Sequence, residues 1–177
     1  MKKSILSILL IALLCGVAGA HIVMMDSGVW YGPDLLSGKG NMEDWDVTKP
    51  DTWTLVTGCA ADQVADPRTG SPGSYATKAT RDTSNAFVIY KTFVTVPGQK
   101  YRAMGWLKKG DATYIQLTKI DWPYADPESS AVVSSTSWAY RSFDFVADTA
   151  LTAIVVNVTG SNGQYGYADD VTVVSVN

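Results

Sequence analysis

Tyr101-Arg102-Ala103-Met104-Gly105-Trp106-Leu107-Lys108, the turn Lys109-Gly110-Asp111 and Thr113-Tyr114-Ile115-Gln116-Leu117-Thr118-Lys119-Ile120 decide the fold class. In the first run Tyr101, Ala103 and Leu107 alternate with Arg102, Met104 and Trp106. In the second, Ile115 and Leu117 alternate with Tyr114, Gln116 and Thr118. A period of two marks strands with one face on a core, and the glycine turn predicts that they form a hairpin. Outward from this pair the pattern repeats. Residues 87–96 read as a strand stopped by Pro97-Gly98, and residues 53–57 and 75–80 as shorter ones. Residues 138–146 and 151–158 follow, joined by Ala147-Asp148-Thr149, and Gly160-Ser161-Asn162-Gly163 turns the chain into a last strand at 165–176. Residues 59–74 and 121–130 read as loops, from their glycine, proline and aspartate content. No stretch has a helical period. About nine short strands with turns between them predict an all-β protein, an antiparallel β-sandwich or jelly roll.

The ends of the chain set its context. Lys2 and Lys3, an apolar run over residues 5–14 and Ala18-Gly19-Ala20 have the order of a signal peptide cleaved after residue 20. The expected product is secreted, extracellular or at the cell surface. The apolar run is too short for a membrane span. Cys15 would be a lipoprotein anchor, but bulky Leu14 precedes it. Its loss leaves Cys59 alone, a small buried hydrophobe rather than half of a disulfide. Residues 21–34, with Ile22-Val23-Met24-Met25, read as a leader that could add an edge strand to a neighbour. Self-association into a filament through that leader is therefore one expectation, and the domain proper is read over residues 35–177.

Composition narrows the function. A net charge of −3 disfavours nucleic acid as a partner. Six Trp and nine Tyr against four Phe favour a surface that stacks on something flat. A histidine at a signal-cleaved terminus is how lytic polysaccharide monooxygenases begin their copper site, but this chain has one His and cannot complete such a brace. The same lone His21 disables Ser-His-Asp and Cys-His machinery, and the acids lie in turns and at chain ends rather than as a facing pair. No catalytic set can be assembled, and the expectation is a protein that is not an enzyme.

One acid pair stands apart. In Tyr167-Ala168-Asp169-Asp170-Val171-Thr172-Val173, strict alternation puts Asp169 with Val171 and Val173 on the core side and Asp170 on the other. An inward carboxylate has to be paired or coordinated. A calcium ion, drawing oxygens from this segment and from Gly40-Asn41-Met42-Glu43-Asp44-Trp45, would satisfy it. Backbone amides, or a lysine such as Lys78, would serve equally well.

Leu35-Leu36 followed by Gly40-Asn41-Met42-Glu43 resembles the opening of carbohydrate-binding modules of families four, nine and twenty-two, galactose-binding-domain-like jelly rolls. Pro50-Asp51-Thr52-Trp53, Gly70-Ser71-Pro72-Gly73-Ser74-Tyr75-Ala76-Thr77-Lys78, Val94-Thr95-Val96-Pro97-Gly98-Gln99-Lys100-Tyr101 and Gly105-Trp106-Leu107-Lys108 follow in the family's order. Tyr167-Ala168-Asp169-Asp170-Val171 is similar to its closing motif; Met42 and the long loop before Gly70 depart from it. The resemblance implies a structural calcium held by the side chains of Glu43 and Asp169. It also implies backbone oxygens near Gly40 and between Gly70 and Lys78, with Gly73 and Lys78 as candidates. It further implies non-catalytic binding of a polysaccharide. Strand parity offers Trp106, Tyr114, Gln116 and Arg102 as the lining of one aromatic cleft, with Trp122 and Tyr124 at its rim. The competing reading makes Trp106 partly core and Trp122 a loop-packing residue. The second functional expectation is a structural or surface protein that polymerises.

Overall fold

A computed structural model describes residues 32–65, 68–82, 87–122 and 125–176, with side chains 125 and 126 excepted. Twelve strands and no helix occur among them. They are β1 (Trp45–Asp46), β2 (Lys49–Pro50), β3 (Thr54–Leu55), β4 (Ala60–Val64), β5 (Ala76–Thr80) and β6 (Phe87–Val94). β7 (Lys100–Lys109), β8 (Tyr114–Asp121), β9 (Ala125–Ser129), β10 (Ala139–Val146), β11 (Leu151–Thr159) and β12 (Tyr165–Ser175) complete the chain. The first sheet has the order β10-β7-β12-β5-β4 and the second β3-β6-β11-β8-β9, each of five strands with antiparallel neighbours; β1 and β2 form a small separate ribbon. The chain is the antiparallel β-sandwich that the alternation predicts.

Alternation also identified the inward side chains of the two decisive strands. Tyr101, Ala103 and Leu107 of β7 pack in one core with Ile115 and Leu117 of β8, Ile154, Val156 and Val158 of β11, and Ala168, Val171 and Val173 of β12. The hairpin expected between β7 and β8 is absent. β7 lies in the first sheet and β8 in the second, so the turn at 109–111 carries the chain across the core. Both strands present one apolar face, and that pattern is the same for hairpin partners as for strands facing each other across a sandwich.

Two strands lie inside segments read as loops. β4 pairs with β5, and β9 pairs with β8, both at sheet edges. Their sequences, Ala60-Ala61-Asp62-Gln63-Val64 and Ala125-Asp126-Pro127-Glu128-Ser129, lack the β-branched density that signals a strand. The expected leader lies outside the described residues up to position 31. From Gly32 the chain runs beside β12, with the Gly32 and Leu35 N–H groups donating to Ser175 O (3.1 Å) and Val173 O (2.8 Å). It occupies the flank of β12 that β5 leaves, since β12 pairs with β5 only over Tyr165–Ala168.

One end of the sandwich is closed by charge. Lys119 continues the inward row of Ile115 and Leu117 yet is fully buried. Its Nζ lies 2.6 Å from Asp121 Oδ2 and 3.4 Å from Glu128 Oε1. Thr152 donates to the other Asp121 oxygen at 3.2 Å, and Thr152 and Thr95 hydroxyls are 2.9 Å apart. Burial opposes the ammonium, but the Asp121 and Glu128 carboxylates outweigh it and hold the pKa of Lys119 above its ordinary value. Lys119→Met leaves Asp121 buried without its cation and is expected to cost about 3 kcal/mol or more. Adding Asp121→Leu should restore most of that loss, with both changes read from urea denaturation midpoints.

Candidate functional site

The two outer faces of the sandwich differ in chemistry. On the second sheet, Ile120, Ala153 and Val155 form a small apolar cluster outside the main core, with Phe87, Tyr90 and Trp122 packed on it. Register explains the grouping, because Val155 lies opposite Tyr90 and Asn157 opposite both Phe87 and Gln116. Tyr90 and Trp122 stack with ring centroids 5.5 Å apart and 28° between planes. With Val56 they line a small hollow in which no lining residue is charged. Polar groups border it. Asn157 lies beside Gln116, and Gln116 and Thr118 reach Ser129 Oγ at 3.4 and 3.0 Å.

The single cleft expected from parity does not form. Tyr114, Gln116 and Trp122 belong to this second-sheet face, whereas Trp106 and Arg102 lie on the outer face of the first sheet, across the whole core. Local alternation says which side chains leave the core, not through which sheet. Arg102 is also committed. Its Nε and Nη2 hold Asp144 at 2.5 and 3.0 Å, and with Lys100 they keep that carboxyl at a pKa of about 2. Trp106 packs on Tyr140, with centroids 5.5 Å apart, and beneath the guanidinium of Arg68 at 4.5 Å. Tyr124 lies outside the described residues. Tyr90, Phe87 and Asn157 were missed because their role depends on the pairing of β6 with β11, which nothing local in either strand specifies.

The expected metal corner has a different origin from the one alternation suggested. Ala168 and Val171 both enter the core, so the strand carries an extra residue between them. The register between β12 and β7 slips between Asp169 and Thr172, and Asp170 takes a left-handed φ of 47°. Asp169 lies opposite Trp106 and so faces the outer side of the first sheet, not the core side that strict alternation assigns it; Arg68 and Ser71 lie beside the Asp169–Asp170 pair there. Asp169 is fully buried, and its Oδ2 has no hydrogen-bond partner. Burial first, and then the neighbouring charge of Asp170, push its carboxyl up to about 6. Asp170 itself is held by Arg68 at 2.8 Å.

The N-terminal segment meets this corner closely. The Val171 N–H donates to Gly40 O at 2.7 Å, and a Cβ on Gly40 would fall 1.6 Å from Val171 O. Glu43 Oε1 accepts the Ser74 and Tyr75 N–H groups, both at 2.8 Å. A Cβ on Gly73 would lie 2.1 Å from that oxygen. Ser71, in the same loop, donates to Asp170 Oδ2 at 3.4 Å. Glu43 thus meets the 71–75 loop, Ser71 of that loop reaches the residue next to Asp169, and Asp169 keeps one buried oxygen unsatisfied; these residues fit a calcium ion. Among the described residues no group of three His, Cys, Asp or Glu could hold a metal, so such an ion would draw its remaining ligands from backbone and hydroxyl oxygens. Lys78 does not fit. It sits within the sheet opposite Tyr167 and Asp62, with its ammonium over the Tyr165 ring at 4.5 Å.

No family model matches this chain, and no curated protein matches it. Solved structures do. The CBM22-1 xylan-binding domain of Paenibacillus barcinonensis Xyn10C is 14% identical with a TM-score of 0.59, over 78% of this chain and 92% of that one. TmCBM61, solved in complex with beta-1,4-galactotriose, is 18% identical with a TM-score of 0.54, over 80% and 98%. The enzymatically active domain of bacteriophage CBA120 tailspike protein 4 is 17% identical with a TM-score of 0.57, over 77% of this chain but only 20% of its own length. The fold is therefore that of the carbohydrate-binding jelly rolls.

Buried Asp169 makes a pH prediction. In buffer with a chelator, the folded state keeps a proton that an unfolded aspartate, near 3.8, has already released. Stability should therefore fall as pH rises from 4 to 6.5, by on the order of 3 kcal/mol. Asp169→Asn should flatten that slope in urea midpoints measured across the range.

Proposed function

We propose that this protein binds a neutral polysaccharide without chemically altering it, on the outer face of the second sheet. The observation that carries the reading is the stacked Tyr90–Trp122 pair on a surface whose lining residues are all uncharged. Pyranose rings present flat C–H faces that rest on aromatic side chains, and amide and hydroxyl groups bind the sugar hydroxyls at the edges. Gln116 and Ser129 supply those groups beside the hollow. Hydrolysis needs a pair of carboxyl groups across the sugar, and no residue lining the hollow is acidic. Two solved structures of the same fold support the substrate class, being described as xylan-binding and as a complex with β-1,4-galactotriose.

Affinity electrophoresis in gels containing xylan or β-1,4-galactan tests this directly. The protein should be retarded, and Tyr90→Ala with Trp122→Ala should weaken retardation by roughly tenfold or more, two stacking contacts being worth about 1 kcal/mol each. Trp106→Ala, on the far sheet, should leave it unchanged. Retardation that survives the double substitution, in a variant that still melts cooperatively, rejects this face as the site.

Calcium belongs to the same reading as a structural ion held by Glu43 and Asp169. It would neutralise the buried carboxylate and tie the 40–43 segment to the β12 bulge. A hundredfold excess of calcium over its dissociation constant should raise the melting temperature by about 5–10 °C. Asp169→Ala should abolish the response, which thermal scans with calcium and with chelator would detect.

A further inference from the structure

Apolar side chains left in solvent gather at one end of the sandwich. Among the described residues, Val94 is 77% exposed, Val96 63%, Val146 44% and Leu151 37%. Val94 lies opposite Leu151 in the β6–β11 register, and Val96 follows two residues on, with buried Thr95 between them. The Thr95 N–H donates to Ala150 O and the Gly98 N–H to Ala147 O, so residues 94–98 run beside 147–151. Val146, opposite Lys100, adjoins the same turn. The charged neighbours Lys100 and Asp148 are engaged with Asp144 and Lys119, at 2.7 and 3.8 Å. Single exposed valines are ordinary on a protein surface, whereas neighbours across a strand pair expose one continuous apolar surface.

The described chain enters at this same end. The Gly32 N–H donates to Ser175 O, Ser175 lies opposite Tyr101, and the Tyr101 hydroxyl accepts the Val96 N–H at 2.8 Å. Gly32 and Tyr101 are thus two strands apart, about 10 Å at the usual spacing, and one tyrosine side chain covers the rest of the way. The eleven residues 21–31 can span at most about 40 Å when extended, so the valines are well within their reach. They read His21-Ile22-Val23-Met24-Met25-Asp26-Ser27-Gly28-Val29-Trp30-Tyr31, with apolar side chains on both sides of a single acid. Such a composition gains by burial against an apolar surface, and one lies where the segment joins the fold. The sequence alone suggests that the leader pairs with a neighbour, and the short tether decides against it. It holds the segment beside its own valines at an effective concentration on the order of millimolar, far above that of a second copy in dilute solution.

We infer that residues 22–30 dock on the Val94, Val96 and Leu151 patch of their own chain. The Trp122 N–H donates to Leu151 O at 3.0 Å, so the covered patch borders the neutral platform at its Trp122 end. Docking needs no sugar and stands independently of the proposed glycan binding.

Hydrogen exchange read by mass spectrometry, on the whole chain at two protein concentrations, tests the assignment. Amides of residues 22–30 should exchange roughly tenfold or more slower than in the same peptide free in solution, equally at both concentrations. Val94→Asp with Val96→Asp should bring that exchange back to within about twofold of the free peptide, since each buried valine is worth roughly tenfold. Val23→Asp with Met24→Asp, on the segment itself, should do the same. Exchange in β7 and β11 should be unchanged in both variants, which separates release of the segment from loss of the fold. Unprotected residues 22–30, or protection that survives the paired valine substitution, overturns the inference. Protection that grows with protein concentration also overturns it, because the occupant is then a second copy.

Discussion

The fold depends on a break in its central strand. β12 pairs with β7 along most of its length, but its other flank changes partner midway, from β5 to the segment at residues 32–35. The bulge at Asp169–Thr172 lies where that exchange occurs. An extra residue re-aims the strand and brings Val171 and Val173 into the core after Ala168 has already entered it. The left-handed Asp170 costs roughly 1 kcal/mol, and the hydrogen-bonded ion pair with Arg68 holds it in place. The same turn of the backbone frees the Val171 N–H to bond Gly40 O. It also leaves a fully buried carboxylate on the outer side of the strand, where an unsatisfied oxygen is expensive.

From that point the energetics divide by face. Between the sheets, apolar side chains fill the space, and the buried Lys119 ammonium is offset by carboxylates and threonine hydroxyls. Outside the sheets, the side chains opposite the core positions pack in small separate clusters and are freer to vary. The second sheet uses that freedom for aromatic rings on an aliphatic base, the first for rings interleaved with cations.

Local pattern carried the architecture a long way. Tyr101, Ala103, Leu107, Ile115 and Leu117 could be assigned to the core because a strand has only two sides. The sheet to which each strand belongs could not be read the same way. β7 and β8 have equivalent alternation and a turn suited to a hairpin, yet they face each other across the sandwich, and Trp106 parted from Tyr114 as a result. Edge strands β4 and β9 escaped because an edge needs less apolar surface than a central strand. Asp169 is the subtler case. Its burial was legible but not its side, because alternation put it with the core valines and the bulge, which shows only in the register with β7, puts it with Trp106 on the outer side.

The position of the bulge also determines how the proposed sites can influence one another. Arg68 binds Asp170 on one side and covers Trp106 on the other, so the metal corner and the first sheet's outer face share a side chain. Whatever settles the Asp169 carboxylate acts on that face through two direct contacts. The Tyr90–Trp122 platform has no such link. It is separated from the corner by the full thickness of the core, and close packing transmits to it only displacements large enough to move whole strands. A change at the corner should therefore alter the rings of the first sheet's outer face before it alters the neutral platform, an asymmetry that follows from which sheet contains the broken strand.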